Sequence, residues 1–307
     1  MILMNMVTPP PDLAAISALQ SKLVKALRPI LPEHALLWEP EDTIPYECDG
    51  LAAYRRMPLA VALPETEEQG AQILKICYAM QIPVVPRGSG TGLSGGAMPL
   101  SQGLVLSLAK LKKIISIDPF TRTAVVQPGV RNLAISEAVA HLGLYYAPDP
   151  SSQIACSIGG NVNENSGGVH CLKYGLTLHN VLRVRGILMN GEIVEFGGLA
   201  PDAPGLDLLA IMMGSEGMLA VVTEVTVKLV AKPKLARVIM ASFDDIEKGG
   251  NAVAAIIAAG IIPAGLEMMD KATTRAVEEF VHAGYDLDAA AILLCESDGT
   301  PEEVAEE

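Results

Sequence analysis

Basic residues, aromatic residues and long apolar runs are all scarce in this chain, and each scarcity closes a class of function. Its 307 residues hold 22 Lys and Arg against 35 Asp and Glu, a formal charge of −13. Nucleic-acid binding needs a basic footprint, and anionic lipid headgroups attract the same sign of charge, so neither partner is expected. The imbalance is local. Between Gly265 and Glu307, twelve acids face only Lys271 and Arg275, so the preceding body is close to neutral. The five cysteines, Cys48, Cys77, Cys156, Cys171 and Cys295, form no C-x-x-C pair, which removes zinc-ribbon and thioredoxin-type chemistry and points to reduced thiols in a cytoplasmic protein. No stretch reaches the ~20 apolar residues of a membrane span. The most apolar segment, Asn251–Gly265, is interrupted by Gly260 and Pro263 and reads as a buried amphipathic helix followed by a turn. The opening MILMNMVTPPPD has no basic start and too short an apolar stretch for a signal peptide. Peripheral attachment at the inner membrane is left open.

Small and apolar residues are abundant: 28 Gly, 21 Pro and an apolar fraction of 50%. That composition builds a core rather than a disordered coil, and the length suggests about two domains. Apolar residues at helical spacing predict a helix over 12–31. A strand at Leu59–Leu63, a helix opened by Thr66 with a capping-box candidate at Gln69, and a strand at Ile82–Val85 form a βαβ unit. Strands are expected at Gly103–Ser107, Ile114–Ile117, Thr123–Val126, 233–242 and Ala290–Cys295, and helices at Asn132–His141 and 245–260. Thr300, Pro301 and Glu303 write a helix start just before the chain stops at Glu307. The expectation drawn from this abrupt stop is a chain cut within a domain.

Two glycine-rich runs carry the chemistry. In the first, PRGSGTGLSGG, Gly90, Gly92 and Gly95 match G-x-G-x-x-G, and Asp118 follows at a suitable distance. A dinucleotide fold of the Rossmann type needs a helix directly after this loop. Here Ala97, Met98 and Pro99 lead instead to a strand, so a nicotinamide cofactor is not supported. Six glycines between Gly88 and Gly103, with the hydroxyls of Ser89, Thr91 and Ser94, still suit close backbone approach to a phosphate. The second run spans Pro148–Gly168 and holds two Gly-Gly steps beside Asn161 and Asn165. Two such loops far apart in sequence suit one elongated, nucleotide-like ligand.

Taken in order, VVPRGSGTGLSGGAMPL, YYAPDPSSQIACSIGGNVNENSGGVHCLKYGLT and GSEGMLAVVTEVTVKLV resemble the FAD-binding half of the vanillyl-alcohol-oxidase, or PCMH-type, flavoproteins. IPYECDGL, GVRNLAIS and IIPAGLEMMD strengthen the similarity to the glycolate-oxidase branch, over roughly Leu36 to Glu296. The resemblance implies an α+β fold. It consists of an N-terminal segment (1–54), a two-subdomain PCMH-type FAD-binding domain (55–232) and the start of an α/β cap, or substrate, domain (233–307). It implies that Arg87, Gly88, Ser89, Gly90, Thr91, Gly92, Gly95 and Gly96 wrap the FAD pyrophosphate. Pro148, Asp149, Pro150 and Ser151 would lie along the flavin and ribityl chain. Ser157, Gly159, Gly160, Asn161, Asn165, Gly167 and Gly168 would contact the isoalloxazine and phosphates. Tyr174 and Gly175 match the family's K/R-Y-G step, and Glu216, Gly217 and Val222 would sit near the adenosine.

The pyrophosphate loop has no His, so non-covalent FAD is implied. The activity implied is oxidation of a small 2-hydroxy acid, glycolate to glyoxylate first, with D-lactate or D-2-hydroxyglutarate as alternative substrates. Flavoprotein-like and iron–sulfur partner subunits are implied as the electron outlet. The family's downstream H-x-G-D-G-N-x-H motif is absent. Catalytic residues are therefore unassigned, no metal site is expected, and a FAD-binding module without turnover is the competing reading.

Single residues carry weaker signals. His170 reads as a structural, hydrogen-bonded His beside the flavin loop, and His141 as a helix-terminal residue. His34, His179 and His282 show no ligand spacing. Cys156 and Cys171 read as buried small hydrophobes, and Met268 with Met269 as core. Arg87 is balanced between offsetting phosphate charge and pairing with a carboxylate. Tyr46 and Asp49 are candidates for the cofactor entrance.

Overall fold

The computed structural model describes residues 13–200 and 205–307. The opening segment read above for a targeting signal lies outside them. Among the described residues, three sheets of three or more strands and one two-stranded sheet organise the fold. The first has the order β1-β2-β4-β3, built from β1 (Leu36–Leu37), β2 (Ala60–Ala62), β3 (Val84–Arg87) and β4 (Leu104–Ser107). β2 and β3 both run parallel to β4, which lies between them, so the βαβ unit closes around an inserted strand. β2 and β4 are buried at every position, as expected for unalternating apolar strands covered on both faces. Helix α1 (Leu13–Leu27) adds Leu23, Val24 and Leu27 to this core. Short α2 (Pro40–Thr43) follows β1.

Helix α3 (Glu67–Ala79) is started by Thr66, whose hydroxyl accepts from Gln69 N at 3.2 Å. The Gln69 side chain reaches Glu65 N rather than the cap residue, so only half of the expected box forms. The second sheet is antiparallel, β5-β6-β10-β8-β9, with β5 (Ile114–Asp118), β6 (Thr123–Val126), β8 (Val181–Ile187), β9 (Ile193–Gly197) and β10 (Val221–Lys228). Across β10, Val221 joins the first core, while Val222, Val225 and Val227 join a second core. A bulge between Val222 and Glu224 makes this possible, because an extra residue resets which face the following side chains point to. The second core is completed by Ile135 and Val139 of α4 (Asn132–Val139) and by Ile158 and Val162 of α5 (Ile158–Glu164). Strands β7 (Leu144–Tyr145) and β11 (Val230–Ala231) pair beside it. Short α6 (Cys171–Tyr174), α7 (Thr177–Asn180) and α8 (Leu208–Met212) fill the connections.

The third sheet is antiparallel β12-β14-β13, with β12 (Leu235–Phe243), β13 (Gly265–Asp270) and β14 (Ala291–Gly299). Helices α9 (Ile246–Ala258) and α10 (Lys271–Val281) pack on it, and α11 (Pro301–Glu306) closes the chain. Two sequence expectations change here. α9 is amphipathic but peripheral, with only Gly249 buried, and Met268 is 44% exposed rather than core. α9 meets the sheet through Gly249, where a Cβ would lie 3.2 Å from Met268 Sδ and 3.6 Å from Ala291 Cβ. The Thr300 cap forms a complete box with Glu303, and Val304 is buried, so this last turn has a packing contact that its acidic sequence does not advertise.

One polar bridge ties α3 to the second sheet. Glu67 accepts from Arg185 Nε and Nη2 at 3.0 and 2.9 Å and from Thr223 Oγ1 at 2.5 Å, while Arg185 Nη1 reaches Glu195 at 2.7 Å. The hydrogen bonds of Glu67 first, then of Glu195, hold the Arg185 guanidinium still more firmly in its charged form. Removing Glu67 leaves the half-buried Arg185 with Glu195 alone and the buried Thr223 hydroxyl with only its longer bond to Arg185 O at 3.3 Å. We predict that Glu67→Ala lowers unfolding stability by about 1–3 kcal/mol in urea titration. Glu67→Ala and Arg185→Ala together should lose less than the sum of the two single changes, and strict additivity would disprove the bridge.

Candidate cofactor cradle

The loop after β3 and the start of α5 face each other across a cavity of about 330 Å3. Glycine is what allows them to meet. A Cβ at Gly88 would collide with Ser157 Oγ, and one at Gly159 would lie 2.6 Å from Pro128 Cβ. Segment 48–51 joins from the other side, where a Cβ at Gly50 would fall 2.8 Å from Gly92 O. Gly92 itself has open space in front of it. Gly90 and Gly95 adopt left-handed backbone, with φ of 71° and 79°, which a side chain would disfavour.

Arg87 is buried at the base of this loop. Its Nη1 donates to Cys48 O at 2.7 Å and more weakly to Ala97 O at 3.4 Å, and its guanidinium lies 5.6 Å from the Tyr46 ring centroid. Burial lowers its pKa, opposed by the nearby charge of Asp49. The side chain therefore braces segment 46–49 against the glycine loop while also lining the cavity. Its hydrogen bonds go to carbonyls and not to a carboxylate, unlike the carboxylate pairing weighed from sequence.

Thirteen of the residues read from sequence line this one cavity: Arg87, Gly88, Ser89, Gly90, Thr91, Gly92, Gly96, Ser151, Ser157, Gly159, Gly160, Asn161 and Glu216. Others stand behind it. Asn165 ends α5 in left-handed conformation and accepts from Leu178 N. Gly168 lets its loop pass Asp149, and Gly175 turns with φ 81° against His179. Tyr174 hydrogen-bonds Asp298. Gly217 packs on Pro86, and Val222 is fully buried in the second core. Pro148, Pro150, Gly95 and Gly167 are also absent from the cavity lining.

Ser94, read from sequence as a hydroxyl donor, lines the cavity, and residues not singled out as ligands include Leu93, Ser152, Asn163, Glu164 and Ser166. Asn163 and Glu164 sit inside NVNENSGG, between two asparagines that were chosen, so their signal was adjacency to the Gly-Gly steps. Asp49, weighed as an entrance residue, also lines the cavity.

Three residues of the lining hold buried polar atoms. Asp49 Oδ2, Asn161 Nδ2 and Asn163 Oδ1 are buried with no hydrogen bond among the described residues. Burying such groups without a partner costs about 1–3 kcal/mol each, and a polar ligand relieves that cost. The glycine-exposed backbone, the hydroxyls of Ser89, Thr91 and Ser94, and these orphaned amide atoms fit a phosphate-bearing, heterocyclic cofactor such as FAD. Three carboxylates, Asp49, Glu164 and Glu216, share the wall. Glu216, itself in left-handed backbone at φ 53°, is pushed up to about 7 by burial first, then by Glu164 and Asp49.

The FAD binding domain family matches residues 58–197, and the family of FAD linked oxidases, C-terminal domain, matches 232–307. Glycolate oxidase subunit GlcD of Escherichia coli is 60% identical over 288 residues, covering 94% of this chain and 58% of that protein. The Bacillus subtilis subunit of the same name is 45% identical over 260 residues, covering 84% and 55%. The chain thus spans little more than half the length of these relatives. Among solved structures, alkyldihydroxyacetonephosphate synthase superposes with a TM-score of 0.80 at 18% identity, over 100% of this chain and 60% of its own. That likeness is one of fold. Among the described residues, no helix is long and apolar enough to cross a membrane.

Two outcomes test the cradle. Gly92→Ala, where a Cβ meets nothing, should leave the melting temperature of the cofactor-free chain unchanged yet weaken FAD binding about tenfold or more. Gly88→Ala, which strikes Ser157, should lower both. Equal FAD affinity in all three proteins would argue against the assignment. For Glu216, the raised pKa means the unfolded carboxyl ionises first as pH rises from about 4.5, so stability falls up to about pH 7. Glu216→Gln should flatten that decline in thermal-melt profiles.

Proposed function

The chain belongs to the FAD-linked oxidases, and from that premise we propose that it is the FAD-binding part of a 2-hydroxy-acid dehydrogenase that oxidises glycolate to glyoxylate. The cradle carries this reading: two glycine-permitted backbones line one cavity, together with three residues that each hold a buried polar atom without a hydrogen bond. The proposed division is 55–232 for FAD binding and 233–307 for the beginning of the cap domain. The matched ranges 58–197 and 232–307 support it.

Bound FAD would supply a two-electron acceptor, which no amino-acid side chain provides. The residues proposed to hold it are those selected from sequence. The loop Arg87–Gly96 would receive the pyrophosphate with backbone N–H groups and the hydroxyls of Ser89 and Thr91. Ser157, Gly159, Gly160 and Asn161 would close the opposite wall. Arg87 keeps the loop's shape through Cys48 O and Ala97 O. Gly95, Pro148, Asp149, Pro150, Asn165, Gly167, Gly168, Tyr174, Gly175, Gly217 and Val222 remain in the proposed set, acting through the shape of the walls wherever they do not line the cavity. The absence of His from residues 86–96 supports non-covalent attachment.

Substrate oxidation releases two electrons that must leave the flavin. The proposed outlet is a flavoprotein-like and an iron–sulfur subunit, in keeping with the word "subunit" in the names of the relatives. The proposed location is the cytoplasm, with peripheral contact to the inner membrane through that assembly.

The test is the visible flavin spectrum of the FAD-loaded chain, recorded without oxygen before and after adding glycolate. Bleaching by glycolate is the expected result, with D-lactate and D-2-hydroxyglutarate as comparison substrates. Faster bleaching by either of these would reassign the substrate. A spectrum unchanged by all three would reduce the proposal to a FAD-binding module without turnover.

A further inference from the structure

A second cavity, of about 350 Å3, lies between the α4–β7 segment and the third sheet, and its lining includes Asp149, His170, Lys232, Glu296 and Asp298. His170 has a carboxylate on each side of its ring. Nδ1 is 2.6 Å from Asp149 Oδ2, and Nε2 is 3.4 Å from Glu296 Oε1. An imidazole facing an acceptor at both nitrogens satisfies both only as the doubly protonated cation. The His170 backbone N–H donates to Asp149 Oδ1 at 3.2 Å. Nearby, Lys173 Nζ and Tyr174 OH each donate to the Asp298 carboxylate at 2.7 Å. Glu296 and Asp298 are two apart on β14, so they share one face of that strand. The stretch from His170 to Tyr174 thus grips successive same-face residues of β14.

The other end of this contact chain reaches the cradle. Asp149 follows Pro148, whose carbonyl accepts from the buried Asn132 Nδ2 at 3.0 Å. Asp149 precedes Ser151 and Ser152, which line the cofactor cavity. A Cβ at Gly168 would fall 2.6 Å from Asp149 O, so the loop bearing His170 is pressed directly on this turn.

We propose that His170 is a positioning residue which, as a cation bridging Asp149 and Glu296, holds the turn at residues 148–153 in the shape that presents Ser151 and Ser152 to the cofactor, and couples that shape to the third sheet. What the turn serves rests on the FAD reading; the bridge itself does not. Asp149 from the turn and Glu296 from β14 flank the imidazole, and the Tyr174 ring of α6 meets it edge-on; Tyr145 of β7, Asp298 of β14 and Lys232 after β11 line the same cavity, and Lys173 of α6 pairs with Asp298. The hydrogen bond to Asp149 raises the imidazolium pKa most, Glu296 adds to it, and burial opposes, for a value of about 9. The sign follows. The bridge contributes fully below about pH 6.5 and is lost as pH rises through about 9.

The experiment is an NMR titration of the cofactor-free 307-residue chain, following histidine ring signals and the amides of Ser151 and Ser152. His170 should keep both ring N–H groups to about pH 9, and the two serine amides should shift with the same midpoint. Glu296→Gln should lower that midpoint by about one unit. In His170→Arg, which stays charged, the serine amides should not titrate over this range. In His170→Gln they should hold their high-pH positions throughout. FAD affinity should then fall about tenfold across the same midpoint in the wild-type chain, stay level in His170→Arg and be low at every pH in His170→Gln. A His170 that titrates at its ordinary value, or serine amides that move identically in His170→Arg, would overturn the proposal. Failure of the wild-type chain to bind FAD at any pH would sink the reading of the cradle, while the cofactor-free titration still decides the bridge.

Discussion

The close approach of two backbones is the constraint on which this structure rests. The loop after β3 lies against the start of α5, the connection after β6 lies against α5, segment 48–51 lies against the loop, and at each contact one residue is a glycine: Gly88 on Ser157, Gly159 on Pro128, Gly50 on Gly92. A side chain at any of these places would push the walls of the cavity apart. Close approach leaves backbone N–H groups and short hydroxyls as the lining, which suits a large anionic cofactor better than long basic side chains would. It also explains a lining that carries one buried Arg and three carboxylates rather than a cluster of lysines.

Such walls need rigid support, because glycine supplies none of its own. Support comes from charged side chains that cross between elements. Arg87 braces segment 46–49 through carbonyl oxygens, Glu67 gathers Arg185 and Thr223 between α3 and the second sheet, and His170 and Lys173 reach β14. Each bridge is half-buried or deeper on at least one side, where solvent screening is weaker than for a surface pair. Lys248 and Asp244, more exposed, lie four residues apart and join nothing distant.

Much of the fold was legible in the residues. β2, α3, β3 and β4 announced themselves through short apolar runs and the Thr66 cap, and α11 through Thr300, Pro301 and Glu303. The illegible parts depend on distant partners. Nothing local in NAVAAIIAAG tells a peripheral helix from a buried one, because both want an amphipathic pattern; α9 is peripheral because of where the third sheet presents it. Val225 and Val227 share a core with Val222 despite their odd spacing from it, and only the bulge that follows Val222 puts them there. For the cradle, glycine density marked the loops, whereas Asn163 and Glu164 carried no signal beyond lying among them.

By itself, the sequence determined where backbone could come close to backbone and where helices begin, since glycine permissiveness and capping are properties of a residue and its immediate neighbours. It also determined the class of ligand, because motifs in a set order recur only where the same contacts recur. The tertiary structure alone decided which charges meet. Asp149, His170 and Glu296 are separated by up to 147 residues of chain, and so are joined only once β14 has paired in its register. Coulomb and hydrogen-bond energies depend on distances of a few ångströms, and no spacing along the chain encodes them.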